Sequence, residues 1–96
     1  MNEKNSPIIT LGGNYDETTV AKGKIDTKIS VATYEATDDT TNVMYVNVMA
    51  ISPFGEISAV TEGFFIPRAT GDWKIVYYCY DECGNTTTRY YTVSVS

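Results

Sequence analysis

Gly71–Val95, GDWKIVYYCYDECGNTTTRYYTVSV, reads as one long β-hairpin. Trp73–Tyr80 and Thr86–Val95 are rich in β-branched and aromatic residues, the types that suit a pleated, half-buried surface. Between them Asp81-Glu82-Cys83-Gly84-Asn85 is built from turn residues, and Gly84 and Asn85 both tolerate the positive φ of a tight reversal. If Tyr80 opens the loop and Thr86 closes it, Tyr78 faces Thr88, Val76 faces Tyr90 and Ile75 faces Tyr91. Side chains alternate along a strand, so two faces separate. Trp73, Ile75, Tyr77, Cys79, Tyr91, Val93 and Val95 form the more apolar face, which is assigned to the core. Thr87 and Arg89 share that face near the loop, where a long side chain can carry its charge out to water. Tyr78, Tyr80 and Tyr90 stand among threonines on the other face, which is assigned to the surface.

The rest of the chain carries the same preference for sheet. Threonine, valine and tyrosine are plentiful and leucine occurs once. Pro7–Leu11 is a first short strand, and a proline at its start suits an edge. Gly12–Asp16 is a turn, Thr18–Val20 a short extended piece, and Lys24–Thr37 one strand with Ala32, Tyr34 and Ala36 inward. Residues 38–42 are a polar loop. Val43–Ser52, the most apolar run, is a central strand with Met44, Val46 and Val48 inward. Glu56–Val60 and Phe64–Pro67 are two further strands around a bend at Glu62-Gly63. No segment keeps a period of 3.6. Seven to eight short strands at even spacing give an all-β antiparallel sandwich. Residues 1–6 read as a flexible arm and 7–96 as a single domain.

Charge and composition remove several functions. The net charge of −5 opposes nucleic acid and anionic membranes as partners. There is no histidine, so the commonest general base and metal ligand is missing. No apolar run reaches the roughly 18 residues that a membrane helix needs. The opening Met-Asn-Glu-Lys-Asn-Ser lacks the apolar stretch of a signal peptide. The expectation is a cytosolic chain, a piece of a larger surface protein, or a virion component exported without a signal.

The ending Gly71-x-Trp73-x-Ile75-x-Tyr77-x-Cys79-x-Asp81-x-x-Gly84-Asn85, followed by Tyr91-x-Val93-x-Val95, resembles the last strands of bacterial immunoglobulin-like surface domains, the hyaline-repeat and cadherin-like relatives. Pro7–Leu11 is similar to their opening strand, and Ala36-Thr37-Asp38-Asp39 to the A-x-D after their second long strand. The chain departs from the pattern at Cys79 and Cys83, where a small residue is usual, and at Trp73, where tyrosine is usual. The resemblance implies an immunoglobulin-like sandwich on a bacterial cell surface or, because phages borrow the module, in a virion. Such a fold hosts many roles.

Three groups of residues are candidates for a site. Asp38, Asp39, Asp81 and Glu82 fall in two loops that this topology brings to one end, where several oxygens could hold calcium; the alternative is that Asp38 and Asp81 bond their own loop backbones as Asx-turns. Cys79 and Cys83 could form a disulfide if their Cα atoms lie within about 7 Å, or remain two thiols. Tyr78, Tyr80 and Tyr90 could stack sugar rings or receive a protein, or simply make good cross-strand pairs. No Ser/His/Asp set, phosphate-cradling loop or metal cluster is present in the sequence. The expected function is a non-enzymatic structural or adhesive module that contacts other protein subunits, with a carbohydrate-binding module for surface glycans as the alternative.

Overall fold

The computed structural model describes residues 8–37, 44–81 and 84–96. Its strands are β1 (Ile8–Leu11), β2 (Val20–Gly23), β3 (Ile29–Ser30), β4 (Tyr34–Thr37), β5 (Met44–Ile51), β6 (Ile57–Ala59), β7 (Phe64–Phe65), β8 (Gly71–Asp81) and β9 (Thr86–Val95). Among the described residues the one helical element is a short 3-10 turn at Gly12–Asn14.

β8 and β9 pair in the register read from their alternation: Tyr78 opposite Thr88, Val76 opposite Tyr90, Ile75 opposite Tyr91, and Tyr80 opposite Thr86 at the loop. Trp73, Ile75, Tyr77, Cys79, Tyr91, Val93 and Val95 are all buried. A one-residue slip would turn that whole set to water, so burial of this many apolar side chains pins the register. The hairpin lies at the centre of a five-stranded sheet in the order β2-β9-β8-β5-β6. β2 runs parallel to β9, from Val20 opposite Thr92 to Gly23 opposite Val95. β5 runs antiparallel to β8, from Met44 opposite Asp81 to Ile51 opposite Lys74.

Two short antiparallel ladders, β1-β4 and β3-β7, cover one face of this sheet. Ile9 and Leu11 of β1 and Phe65 of β7 join the buried hairpin residues in one apolar cluster, which makes the fold all-β and sandwich-like. Burying each such side chain contributes about 1.5–3 kcal/mol. Trp73 packs against Phe65 with ring centroids 5.4 Å apart and donates its indole N–H to the Ala69 carbonyl at 3.0 Å.

The structure divides the strand expected over Lys24–Thr37. Its first part pairs with β7, and the Val31 N–H donates to the Gly63 carbonyl at 2.9 Å. Its second part pairs with β1, after the Gly12 N–H donates to the Thr33 carbonyl at 2.7 Å. Residues 31–33 change partner from one neighbour to the other, and alternation in the sequence carries no sign of such a switch. β6 and β7 follow the expected bend. Glu62 (φ 55°) and Gly63 (φ 86°) both take positive φ, the requirement of a two-residue type I′ hairpin turn. The β5–β6 turn is organised by buried Ser52, whose Oγ accepts from the N–H groups of Phe54 at 3.2 Å and Glu56 at 3.0 Å.

Candidate functional site

The outward face of the central sheet carries the tyrosines singled out in the sequence. Cross-strand pairing sets Tyr45 beside Tyr80, Asn47 beside Tyr78 and Met49 beside Val76. Tyr80 stacks on Tyr45 with ring centroids 5.0 Å apart and 23° between planes, and Tyr78 leans on Tyr80 at 6.0 Å. Lys74 holds its ammonium over the Tyr90 ring at 4.9 Å. Tyr78, Tyr80 and Tyr90 therefore point outward as expected but are half-buried against one another. Tyr45 belongs to the same cluster and is half exposed. Sequence reasoning passed over it, although the inward assignment of Val46 and Val48 already turned Tyr45 outward. Ile57 and Phe54 stand exposed at one corner of this sheet.

Tyrosines on the inward face do different work. The Tyr77 hydroxyl donates to the Ala32 carbonyl at 2.6 Å, and the Ala32 N–H donates to the Tyr91 hydroxyl oxygen at 3.0 Å. Both side chains cross the interior to reach one residue in the facing layer. The partner switch at residues 31–33 leaves Ala32 outside any strand, and the two phenols bond its N–H and its carbonyl instead. Tyr15 packs edge-on against Tyr91 at 4.8 Å, and Tyr34 lies 5.8 Å from Tyr77. Burial pushes both phenols up from the ordinary tyrosine value, and the neighbouring tyrosines add to the shift of Tyr77.

Arg89 lies on the inward face near the loop, and its side chain remains 32% exposed. Its guanidinium turns to Glu17 at 2.9 Å and donates to the Ile9 carbonyl at 3.0 Å, tying β9 to the loop before β2 and to β1. The Glu17 carboxyl also accepts from the Tyr90 N–H at 3.3 Å. Burial acts upward on this carboxyl, but the bonds from Arg89 and from backbone amides outweigh it and hold it below the ordinary value. Asp16 next to it is held low by Thr18, whose hydroxyl and N–H both donate to it, in an Asx-turn that shapes the approach to β2.

A cleft of about 430 Å³ opens on the flank of the core. Val31, Ala32, Tyr34, Val48, Val60 and Gly63 line it. Tyr34 leans toward the core yet is 45% exposed, and Val46 and Val48 are only half-buried, because no described strand covers them here. Of the expected inward set, Ala32, Ala36, Val46 and Val48 pack against the core with partial cover, and the Met44 side chain lies outside the described residues. A shallower cleft of about 220 Å³ lies beside it between Thr10 and Glu35.

The calcium pole falls largely outside the described residues. Asp38, Asp39 and Glu82 lie there, and of Asp81 only the backbone is placed. Met44 pairs with Asp81 at the hairpin-loop end of the sheet. Among the described residues no three acidic or thiol side chains group as metal ligands. Cys79 is fully buried in the core, and Cys83 lies outside the described residues.

Comparison with family models, with curated proteins and with solved structures returns no match.

Proposed function

We propose that this chain is an immunoglobulin-like structural module that serves without catalysis as a spacer, decoration or contact unit of a bacterial surface protein or a virion. The strand order supports the immunoglobulin-like reading. The chain begins by pairing in one layer through β1 and then crosses to pair in parallel with the last strand through β2. The hairpin β8-β9 and β5 form the centre of one layer, and β4, β1, β3 and β7 form the other.

One observation carries the spacer role. Ile9 lies level with Arg89, whose guanidinium holds its carbonyl, whereas Ser96 ends the chain beyond β9. At about 3.3 Å per residue, the described ends lie some 20 Å apart along β9. The molecule is elongated in turn, 49 × 24 × 21 Å. The described ends therefore lie at different levels along β9, the arrangement that suits modules in series. Small-angle scattering on two copies fused end to end tests it. The fused pair should lengthen by about one domain; side-by-side packing of the two copies would refute the role.

The outward tyrosine cluster favours a second reading, a carbohydrate-binding surface made of Tyr45, Tyr78, Tyr80 and Tyr90 with Asn47 and Thr88 beside them. The stacking of Tyr80 on Tyr45 covers one ring face of each and leaves less open area for a sugar. Binding on a glycan array that is lost on Tyr80→Ala would establish this reading. Silence across a broad array would set it aside.

A further inference from the structure

Among the described residues β4 pairs with β1 alone, along one of its two edges. The Gly12–Thr33 hydrogen bond turns the peptide groups of Thr33 toward β1. By the alternation of an antiparallel ladder, Tyr34 and Ala36 turn theirs the other way. A neighbour on that side would come from β7, but the Glu62-Gly63 turn carries the chain away after its contact with Val31. Beside this edge runs the 430 Å³ cleft, along residues 31–34 and floored by Val48.

Three features of the slot specify what fits it. Outward-turned backbone groups match the hydrogen bonds of an extended strand. Valines and the Tyr34 ring match apolar side chains on alternate residues of that strand. Glu35 and Glu62 are exposed and adjoin lining residues Tyr34 and Gly63 in the chain; by alternation Glu35 stands on the opposite face of β4 from Tyr34, the face that the outward residues of an added strand would share. The nearby cations are engaged elsewhere, Lys28 over the Phe64 ring and Arg68 with Asp26.

We propose that the slot takes up an extended segment of another protein chain, apolar on alternate residues and flanked by lysine or arginine, as a strand added to β4. This names a contact surface for the structural module, and it rests on that reading only in calling the capture a contact. The two fail separately, since the slot can be silent while fused copies still extend in line, and the reverse.

The probe is a capped synthetic peptide, Thr-Lys-Val-Thr-Val-Lys-Thr, with its lysines on the face opposite its valines, titrated into the isotope-labelled domain and followed by NMR. Shifts confined to residues 31–37, Val48, Val60 and Gly63, with slowed amide exchange at Tyr34 and Ala36, are expected. The paired substitution Glu35→Lys and Glu62→Lys should weaken binding about tenfold. The same variant should bind a peptide with glutamate in place of both lysines more tightly than the parent domain does. Both sites are exposed, so an unchanged melting midpoint shows that the variant is folded. Absence of shifts at millimolar peptide, shifts on the Tyr45–Tyr80 face instead, or indifference to charge reversal would each overturn the proposal. Concentration-dependent shifts at the slot without peptide would overturn it as well, because a second copy would then be the occupant.

Discussion

Tyr77 donates its hydroxyl proton across the interior to the carbonyl oxygen of Ala32 at 2.6 Å. Its neighbour Tyr91 accepts from the N–H of the same residue. One residue of the covering layer is thus held by two side chains of the central sheet. Tyr77→Phe leaves a half-buried carbonyl without its donor and should destabilise by about 0.5–1.5 kcal/mol; Tyr91→Phe does the same to a half-buried N–H. The two act on one residue, so a double-mutant cycle by urea unfolding should show coupling of about 0.5 kcal/mol or more. Simple additivity would mean that the two bonds are independent.

The same phenols make stability sensitive to alkali. Burial raises both above the ordinary tyrosine value of 10.0, so the folded state keeps protons that the unfolded state releases. Their contribution is complete below about pH 10 and falls as pH rises toward the folded values. Two such groups give a loss of up to about 2.7 kcal/mol per pH unit. Urea midpoints measured from pH 9 upward should fall, and Tyr77→Phe should make the fall shallower. A slope unchanged by that substitution would contradict the assignment.

At the acid side the sign reverses. Glu17 is held below its ordinary 4.5 chiefly by Arg89 and backbone N–H groups, against the upward effect of burial. Its contribution is present above that value and is lost as pH falls through the lower, folded one. The pair is about one-third exposed, so solvent screening limits it to about 1 kcal/mol or less. Glu17→Gln should destabilise by about that much at pH 7 and flatten the melting curve below pH 4.5, as calorimetry would show.

Gly71 opens β8 with φ at +124°, and a Cβ there would come within 2.7 Å of the Pro53 ring. Gly71→Ala should destabilise by about 1–3 kcal/mol through backbone strain, before any clash is counted. Gly55 also has positive φ but faces open space, so Gly55→Ala should show the strain alone and the smaller effect of the two. Equal midpoints for the two variants would remove the role of Pro53.

The hairpin was legible because every signal in it agreed. Alternation, turn chemistry and aromatic content all gave one register, and Trp73, Ile75, Tyr77 and Cys79 are buried as that register demands. Lys24–Thr37 misled because a strand that exchanges one partner for another looks continuous in sequence; only the hydroxyls of Tyr77 and Tyr91 mark the break, and they come from the far side of the core. The partners of Arg89 were hidden for a similar reason, since Glu17 lies 72 residues away. The parallel pairing of β2 with β9 depends on backbone geometry, and nothing in Val20–Gly23 distinguishes it from antiparallel pairing. The open flank was hidden because Tyr34, Val46 and Val48 have inward periodicity whether or not a strand covers them.

Hydrogen exchange at the Ala32 amide tests the joining of the two layers most directly. Ala32 lies in no strand, and its N–H is held by a side chain alone. The account predicts slow exchange at Ala32, comparable to the core of β8 and β9, and fast exchange at the same amide in Tyr91→Phe. Fast exchange at Ala32 in the unaltered protein would contradict it.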